Sequence, residues 1–218
     1  VDYMFVFNPS TAKLFNSFVG GKKIVIGSFK NNESINFNNQ KKNKIKEVLF
    51  ISCFKPPEYN NFDEKLGKKF TYHDLYKNDK KLLIWLGKIC NKYSLKLNIL
   101  GRNANSTPDL NQKTIAAKLE KKYYDLLIGK NRYSFIQNYH GAKANYSEVY
   151  KYEYVFTIDS TLGTENFINL GKTGFIFNRP FVYPIKTRRF GGMEGFHRSG
   201  PNWTTYNNYN EFLRVFKY

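Results

Sequence analysis

The clearest indication of the fold is the segment Tyr154–Asn178, YVFTIDSTLGTENFINLGKTGFIFN. Its apolar beginning, Tyr154 to Ser160, predicts a strand, and the segment from Thr161 to Leu170 predicts a helix that starts directly after it. Thr173 to Asn178 predicts a second strand. A strand that leads into a helix and then into another strand is the βαβ unit of a parallel sheet.

The rest of the chain continues this alternation of strands and helices. Ile45–Cys53 is a continuous apolar run, which is typical of a strand buried on both faces of a parallel sheet. The sequence therefore predicts an α/β fold, a Rossmann-like parallel sheet with helices on both faces, from Ile45 to about Asn178. The other predicted strands are Tyr3–Asn8, Lys23–Ser28, Leu95–Leu100 and Tyr133–Gln137; the other predicted helices are Ser10–Val19, Thr71–Tyr93, Thr114–Ile128 and Asn145–Tyr152; loops are predicted over Phe54–Phe70 and Gly101–Gln112.

A polar segment divides the chain. Phe29–Lys44 is rich in Asn, Lys and Ser and predicts a linker, so residues 1–44 form one part and residues 45–218 the main domain. Within the main domain, the apolar positions of the helix over Thr114–Ile128, Leu126 and Leu127 among them, are expected to face the core. Because the chain begins at Val1 with an apolar run close behind, we expect it to have been cut from a longer protein.

The formal net charge of +18 over 218 residues is the most unusual bulk property. Such a surface attracts nucleic acid, anionic lipid or phosphorylated substrates. An AT-rich genome, whose codons favour lysine, would explain the charge equally well. No apolar stretch reaches the roughly 20 residues of a membrane-spanning helix, and no secretory signal is visible. We therefore expect a cytoplasmic protein, with contact at the inner face of the membrane left open. We expect Cys53 and Cys90 to be buried apolar thiols, because they lack metal-ligand spacing.

The segment Asp159–Glu165 (DSTLGTE) is the strongest candidate site, because it joins the end of a strand to the start of a helix. Ligands of parallel sheets bind there, and a helix N-terminus favours phosphate. Ser160 and Thr161 supply hydroxyl groups, Gly163 allows close approach of the backbone, and Glu165 could hold ribose hydroxyls. Helix capping by a Ser or Thr with an acidic residue in the first turn is the alternative explanation.

Other candidates are less specific. Arg102 follows a predicted strand and could reach a phosphate, or it could be a solvated surface residue. Arg179 follows another strand and precedes Pro180, which suits a donor contact or a loop-fixing hydrogen bond. The three histidines lack metal-ligand spacing, so no metal site is expected. The basic run Lys186, Arg188 and Arg189 suits pyrophosphate, an anionic membrane or simple solvation.

The segment Asp159–Arg179, DSTLGTENFINLGKTGFIFNR, resembles bacterial surface carbohydrate biosynthesis glycosyltransferases of the GT-B fold, in their D-S-T-L-G-x-E, G-K and apolar-strand-Arg pattern. Weaker resemblance extends over Asn8–Asn32, Val48–Phe54, Ile99–Arg102 and Glu194–Trp203. It implies that residues 45–218 are the C-terminal, nucleotide-sugar-binding half of such an enzyme, while the acceptor-side domain is represented only by residues 1–44. The chain would then be either an excised fragment or a reduced protein whose acceptor site lies on a partner.

The resemblance further implies transfer of a sugar from a nucleotide-activated donor to a glycan or lipid-linked glycan acceptor of the lipopolysaccharide, capsule or O-antigen type. The donor would be a substrate and no cofactor is expected. The implied donor-binding residues are Asp159, Ser160, Thr161, Leu162, Gly163, Glu165, Arg102 and Arg179, whereas no catalytic residue is assigned.

Two alternatives stay open. A sugar-nucleotide 2-epimerase shares the fold, but it has a D-S-G-G-x-x-E-E stretch where this chain has Thr161, Leu162 and Asn166. A non-catalytic basic module that binds nucleic acid or anionic membrane would explain the charge and the aromatic content. It lacks a nucleic-acid-binding motif, so no nucleic-acid partner is expected.

Overall fold

The computed structural model describes residues 2–6, 9–27, 45–54, 61–63, 68–70, 79–104, 110–138, 142–158, 160–168, 172–177, 203–205 and 209–217. In chain order the elements are β1 (Tyr3–Val6), α1 (Pro9–Phe15), β2 (Lys22–Val25), β3 (Ile45–Ile51), β4 (Asn61–Asp63), β5 (Lys68–Phe70), α2 (Asp79–Lys92), β6 (Leu97–Ala104), α3 (Leu110–Ile128), β7 (Ser134–Asn138), α4 (Ala142–Tyr150), β8 (Tyr152–Thr157), α5 (Thr161–Ile168), β9 (Thr173–Phe177), β10 (Trp203–Thr205) and α6 (Tyr209–Lys217).

Six of these strands form the main sheet, in the order β10-β9-β8-β3-β6-β7, and every neighbouring pair is parallel. The chain enters at β3, builds outward through β6 to β7, and then returns to the other side of β3 with β8, β9 and β10. This is the strand order of the doubly wound Rossmann fold. The predicted α/β parallel sheet is confirmed, and it extends beyond Asn178 because β10 adds an edge strand.

Helices cover both faces, as predicted. Val48 and Phe50 of β3 point into a core that α2, α3 and α6 close, while Leu49 and Ile51 point into a second core that α4 and α5 close. All four side chains are at most 4% exposed. Burial of each such side chain contributes roughly 1.5–3 kcal/mol, which explains why β3 needs a continuous apolar run rather than an alternating one.

Four details differ from the sequence prediction. The predicted loop Phe54–Phe70 contains an antiparallel pair, β4 with β5, and β6 and α3 extend into the predicted loop Gly101–Gln112. The helix α6, which the sequence analysis left out, buries Phe212 against Trp85 and Phe156. Leu126 of α3 is 77% exposed, whereas its neighbour Tyr124 is fully buried.

The first strands stand apart from the main sheet in their hydrogen bonding. β1 pairs with β2 in a two-stranded parallel sheet of its own, with Tyr3 opposite Lys22 and Val6 opposite Val25. The helix α1 links the two strands, so residues 3–25 form the small βαβ unit that the sequence predicted. The division of the chain into residues 1–44 and 45–218 stays a prediction.

Candidate functional site

The carboxyl ends of β3 and β8 lie side by side at the point where the strand order reverses. The two ends are joined by Thr157, whose Oγ1 donates to the carbonyl oxygen of Ile51 at 3.5 Å. In open parallel sheets the ligand crevice lies at this reversal, because the helices on its two sides pack on opposite faces and leave a gap between the loops. The fold therefore places the predicted segment after β8 at the edge where ligands bind.

The turn from β8 into α5 is fixed by Ser160 and Thr157. The backbone N–H of Ser160 donates to Thr157 Oγ1 at 3.1 Å, and the Ser160 carbonyl accepts the first helical bond from the N–H of Thr164, also at 3.1 Å. Ser160 is thus the N-cap residue, the position that the capping explanation requires. The exposed Thr161 begins the helix, and the next N–H groups, which lack helical acceptors, lie at the positive end of the dipole.

Gly163 is where α5 comes closest to the sheet. A Cβ at this position would lie 2.5 Å from Cγ2 of Thr157 and 3.2 Å from its Cβ, closer than side-chain carbons can approach. The missing side chain therefore lets the helix pack against β8, the close helix-strand contact that glycine serves in dinucleotide-binding turns. Leu162 packs against the second core, so from this residue a ligand could use only the backbone.

Glu165 lies one turn into α5 and is 7% exposed. Its Oε2 accepts a hydrogen bond from the hydroxyl of Tyr146, the fifth residue of α4. A carboxylate has about four lone-pair sites, so one tyrosine hydroxyl leaves capacity for further donors. Glu165 is therefore oriented by α4, and its burial makes each hydrogen bond to it stronger than it would be in water.

Arg102 extends across the end of the neighbouring strand. Its exposed side chain donates from Nη1 to the carbonyl oxygen of Cys53 at 3.2 Å, just past the end of β3. The residue before it, Gly101, leaves room for the ring of Phe135, which would lie 2.7 Å from an added Cβ. The structure thus brings Arg102 to the same sheet edge as the turn into α5.

A residue that the sequence analysis missed, Glu120 of α3, holds this end of β6 in place. It is fully buried and accepts the backbone N–H groups of Arg102 and Asn103, both at 2.9 Å. It also accepts the Asn103 side-chain amide at 2.8 Å and the hydroxyl of Ser52, which in turn accepts from Tyr124 at 2.8 Å. Burial raises the pKa of Glu120, and these hydrogen bonds oppose the increase. The sequence contained a signal for this buried acid: Glu120 lies four residues from both Ala116 and Tyr124 and therefore on the buried stripe of α3.

The end of β7 is connected to Arg102 and to α4. Asn138 donates from Nδ2 to the Arg102 carbonyl at 2.9 Å, and its Oδ1 accepts from Asn145 at 2.9 Å. Because Asn145 and Tyr146 are consecutive, α4 contacts both the Arg102 segment and Glu165. The helix therefore links the two groups of predicted site residues that lie far apart in the sequence.

The remaining predicted residues have different outcomes. Asp159 and Arg179 lie outside the described residues, as do the three histidines and the basic run Lys186 to Arg189. Asn166, where epimerases have an acidic residue, is buried and donates to Thr173 Oγ1 at 2.8 Å. Cys53 and Cys90 are buried as free thiols, as predicted, and burial raises the pKa of Cys90 to about 12.

Two features are absent from the described part of the chain. It contains no cluster of three or more His, Cys, Asp or Glu side chains that could hold a metal ion. None of its helices combines the length and the apolar character needed to cross a membrane.

The chain matches one protein family over its whole length. The model of a family described as "putative O-antigen biosynthesis protein" aligns with residues 1–218. This chain belongs to that family. The predicted resemblance to surface carbohydrate biosynthesis proteins is thereby confirmed. No curated protein matches the chain.

Two solved structures are similar to this family member. A Glycosylation Associate Protein (Gap123) complex from Streptococcus agalactiae aligns with a TM-score of 0.54 and 12% identity over 99% of this chain and 38% of its own. A UDP-GlcNAc 2-epimerase from Methanocaldococcus jannaschii, in complex with UDP-GlcNAc and UDP, aligns with a TM-score of 0.45 and 12% identity over 80% of this chain and 44% of its own. The chain thus spans less than half of either structure. At this identity the first likeness supports the fold alone.

Proposed function

We propose that this chain is the donor-binding half of a glycosyltransferase of O-antigen type biosynthesis, which takes a nucleotide-activated sugar as its substrate. The observation that carries the proposal is the position of the α5 N-terminus, at the carboxyl end of β8 and beside the strand-order reversal. Membership of an O-antigen biosynthesis family supports a role in glycan assembly.

The pyrophosphate of the donor is bound by the start of α5 and by Arg102. The free N–H groups of the first turn of α5, after Ser160, bind the pyrophosphate, because they combine unpaired donors with the positive end of the dipole. Arg102 lies on β6, which is separated from β8 by β3 alone, and supplies a cationic contact to the pyrophosphate. The sequence resemblance implies donor contacts for Asp159 and Arg179 as well, both of which lie outside the described residues.

Glu165 binds the ribose. Its carboxylate is held by Tyr146 close to the start of α5, where it can accept hydroxyl donors from the nucleoside while the helix N-terminus takes the phosphates. Two hydroxyl groups on adjacent ribose carbons match the two oxygens of one carboxylate. The nucleotide is therefore selected by a ribose contact and a phosphate contact one helical turn apart.

The chemistry of the proposed reaction replaces the nucleotide with an acceptor hydroxyl on the anomeric carbon of the sugar. The bond from this carbon to the phosphate oxygen breaks, the bond to the acceptor oxygen forms, and the acceptor proton leaves. The N-terminal turn of α5 stabilises the negative charge of the nucleotide leaving group, because it lies at the positive end of the helix dipole. The acceptor, a glycan or lipid-linked glycan, and the catalytic base belong to parts of the enzyme that this site does not include.

Isothermal calorimetry tests the proposal directly. UDP, GDP and CMP are titrated into the wild-type chain and into Glu165→Ala, with Glu153→Ala as the matched control because Glu153 is paired with Lys172 outside the site. Hydrogen bonds to a charged group contribute roughly 1.5–3 kcal/mol, so Glu165→Ala should weaken binding about 10- to 100-fold. The control should bind normally.

Two results would contradict the proposal. If a longer parent protein that binds a sugar nucleotide binds it equally well after Glu165→Ala, the ribose assignment is wrong. If neither the chain nor such a parent binds any of the nucleotides, the donor site itself is wrong. Thermal melts of the same variants separate binding from folding. Glu165→Ala removes the buried hydrogen bond from Tyr146 and should cost about 1–3 kcal/mol of stability in either case, so a loss of stability with unchanged nucleotide affinity would make Glu165 a purely structural residue.

A further inference from the structure

The solvent-facing sides of α2 and α3 have the same pattern of side chains. In α2, exposed residues occur at Lys81 and then three, seven and eleven positions later; in α3 they occur at Ile115 with the same spacing. With 3.6 residues per turn, each set falls on one stripe of its helix. The two stripes consist of Lys81, Ile84, Lys88 and Lys92, and of Ile115, Lys118, Lys122 and Leu126.

Both stripes face the same way, because α2 and α3 close the same core on one face of the sheet. We call the exposed residues of these two stripes the α2–α3 outer face. Within it the apolar side chains are well exposed: Ile84 by 42%, Ile115 by 52% and Leu126 by 77%. Each lies on a stripe with lysines, so the surface combines cations with aliphatic side chains.

The positive charge of this face is not neutralised by its own helices. Together α2 and α3 contain eight lysines and three acidic residues. Of these acids, Glu120 is buried, Asp125 is paired with Lys121, and Asp79 begins α2.

The opposite face of the sheet is different. Its helices α4 and α5 contain one lysine and two glutamates. Lysine-rich codon usage acts on the whole sequence, so it does not explain why the helices of one face are strongly cationic and those of the other are not. Simple solvation explains the lysines of the first face, but hydration does not favour three exposed aliphatic side chains among them.

We propose that the α2–α3 outer face docks on a lipid bilayer that contains anionic headgroups. Lysines attract anionic lipid electrostatically, and aliphatic side chains that lie among them gain free energy by entering the boundary between headgroups and acyl chains. Nucleic acid suits the face less well, since single-stranded bases are bound by aromatic platforms, and the exposed apolar residues here are isoleucine and leucine. The face lies on the side of the sheet and not at its carboxyl edge, so the inference does not depend on nucleotide binding.

Vesicle sedimentation tests this inference. The wild-type chain is mixed with vesicles of phosphatidylcholine alone and with vesicles of equal parts phosphatidylcholine and phosphatidylglycerol. It should sediment only with the anionic vesicles, and less so as salt is raised. Each lysine at an anionic surface corresponds to roughly fivefold in affinity, so the double variant Lys118→Gln/Lys122→Gln should bind about 25-fold more weakly.

Two further variants sharpen the result. Lys151→Gln/Lys172→Gln removes the same charge from exposed lysines outside the face and should bind like the wild type. Ile115→Ser/Leu126→Ser keeps every lysine and should lose the part of the binding that survives at high salt. All of these positions are exposed, so each variant should fold, and a thermal melt of each one checks this before binding is compared.

Three results would overturn the inference. The first is a wild-type chain that binds anionic vesicles no better than neutral ones. The second is an equal loss in Lys118→Gln/Lys122→Gln and in the control double variant, since general net charge would then explain the binding. The third is tighter binding to a single-stranded DNA oligonucleotide that depends on Lys118 and Lys122, since the face would then be a nucleic-acid site.

Discussion

Substituting Gly163 with alanine tests how closely α5 must approach the sheet. The added Cβ would lie 2.5 Å from Cγ2 of Thr157 and 3.6 Å from Cδ1 of Ile51. Thr157 is fully buried, and its Oγ1 bonds both the Ser160 N–H and the Ile51 carbonyl, so it cannot turn away without losing them. The helix must therefore shift, at a cost of about 1–3 kcal/mol for overpacking.

Part of that cost is offset, because alanine favours a helix over glycine by up to about 1 kcal/mol. We expect Gly163→Ala to lower the free energy of unfolding by about 1–2 kcal/mol. For a chain of this length that corresponds to a fall of roughly 2–8 °C in Tm. Urea unfolding followed by circular dichroism and by tyrosine fluorescence measures the change.

Two variants distinguish the clash from a general effect of alanine. Gly87 of α2 has nothing within 4 Å of an added Cβ, so Gly87→Ala should stabilise the chain by about 0.4–1 kcal/mol. Thr157→Ser removes Cγ2 while keeping the hydroxyl, so Gly163→Ala should cost about 1 kcal/mol less in that background.

A Gly163→Ala variant as stable as the wild type would refute the reasoning, as would an equal cost in both backgrounds. The glycine would then have to be explained by a ligand that approaches the backbone, and Gly163→Ala would have to weaken nucleotide binding without loss of stability. The two explanations thus predict opposite patterns of stability and affinity.

Three further predictions concern buried and paired acids. Tyr146→Phe should destabilise the chain by about 1–3 kcal/mol, because it removes a donor from the buried Glu165; an unchanged urea midpoint would show that the hydrogen bond is not formed. Burial raises the pKa of Glu120 above its ordinary 4.5, so the folded chain binds the carboxyl proton of Glu120 more tightly than the unfolded chain does. The wild type should therefore lose stability as the pH rises from 4.5 through the pKa of Glu120 in the folded chain. Glu120→Gln should remove that component and give a shallower decline of unfolding free energy with pH, and an identical pH profile would contradict this. The hydrogen bond from Lys121 holds the pKa of Asp125 below 3.8, so its stabilisation is present above 3.8 and is lost as pH falls through the folded value; the deficit of Asp125→Asn should be seen in melts at neutral pH and vanish in acid.

Local sequence patterns were sufficient to predict the type and the order of most elements. The apolar run Ile45–Cys53 predicted β3 within two residues of its end, and the start of α5 at Thr161 was predicted correctly. These features are local, because strand and helix periodicities depend on residues a few positions apart. The same locality explains the misses: β4, β5 and β10 have three residues each, too few to show a period.

The contacts between residues far apart in the sequence, in contrast, depend on the packing of the whole chain. The hydrogen bond from Ser52 to Glu120 spans 68 positions and that from Thr157 to Ile51 spans 106, and both exist because β3 lies between β6 and β8 in the sheet. The sequence placed Gly163 and Glu165 near the turn, but their neighbours Thr157 and Tyr146 depend on how α5 packs against β8 and α4. Strand order and helix packing are properties of the whole chain, since they are set by which apolar faces can be buried together, and no local pattern encodes them.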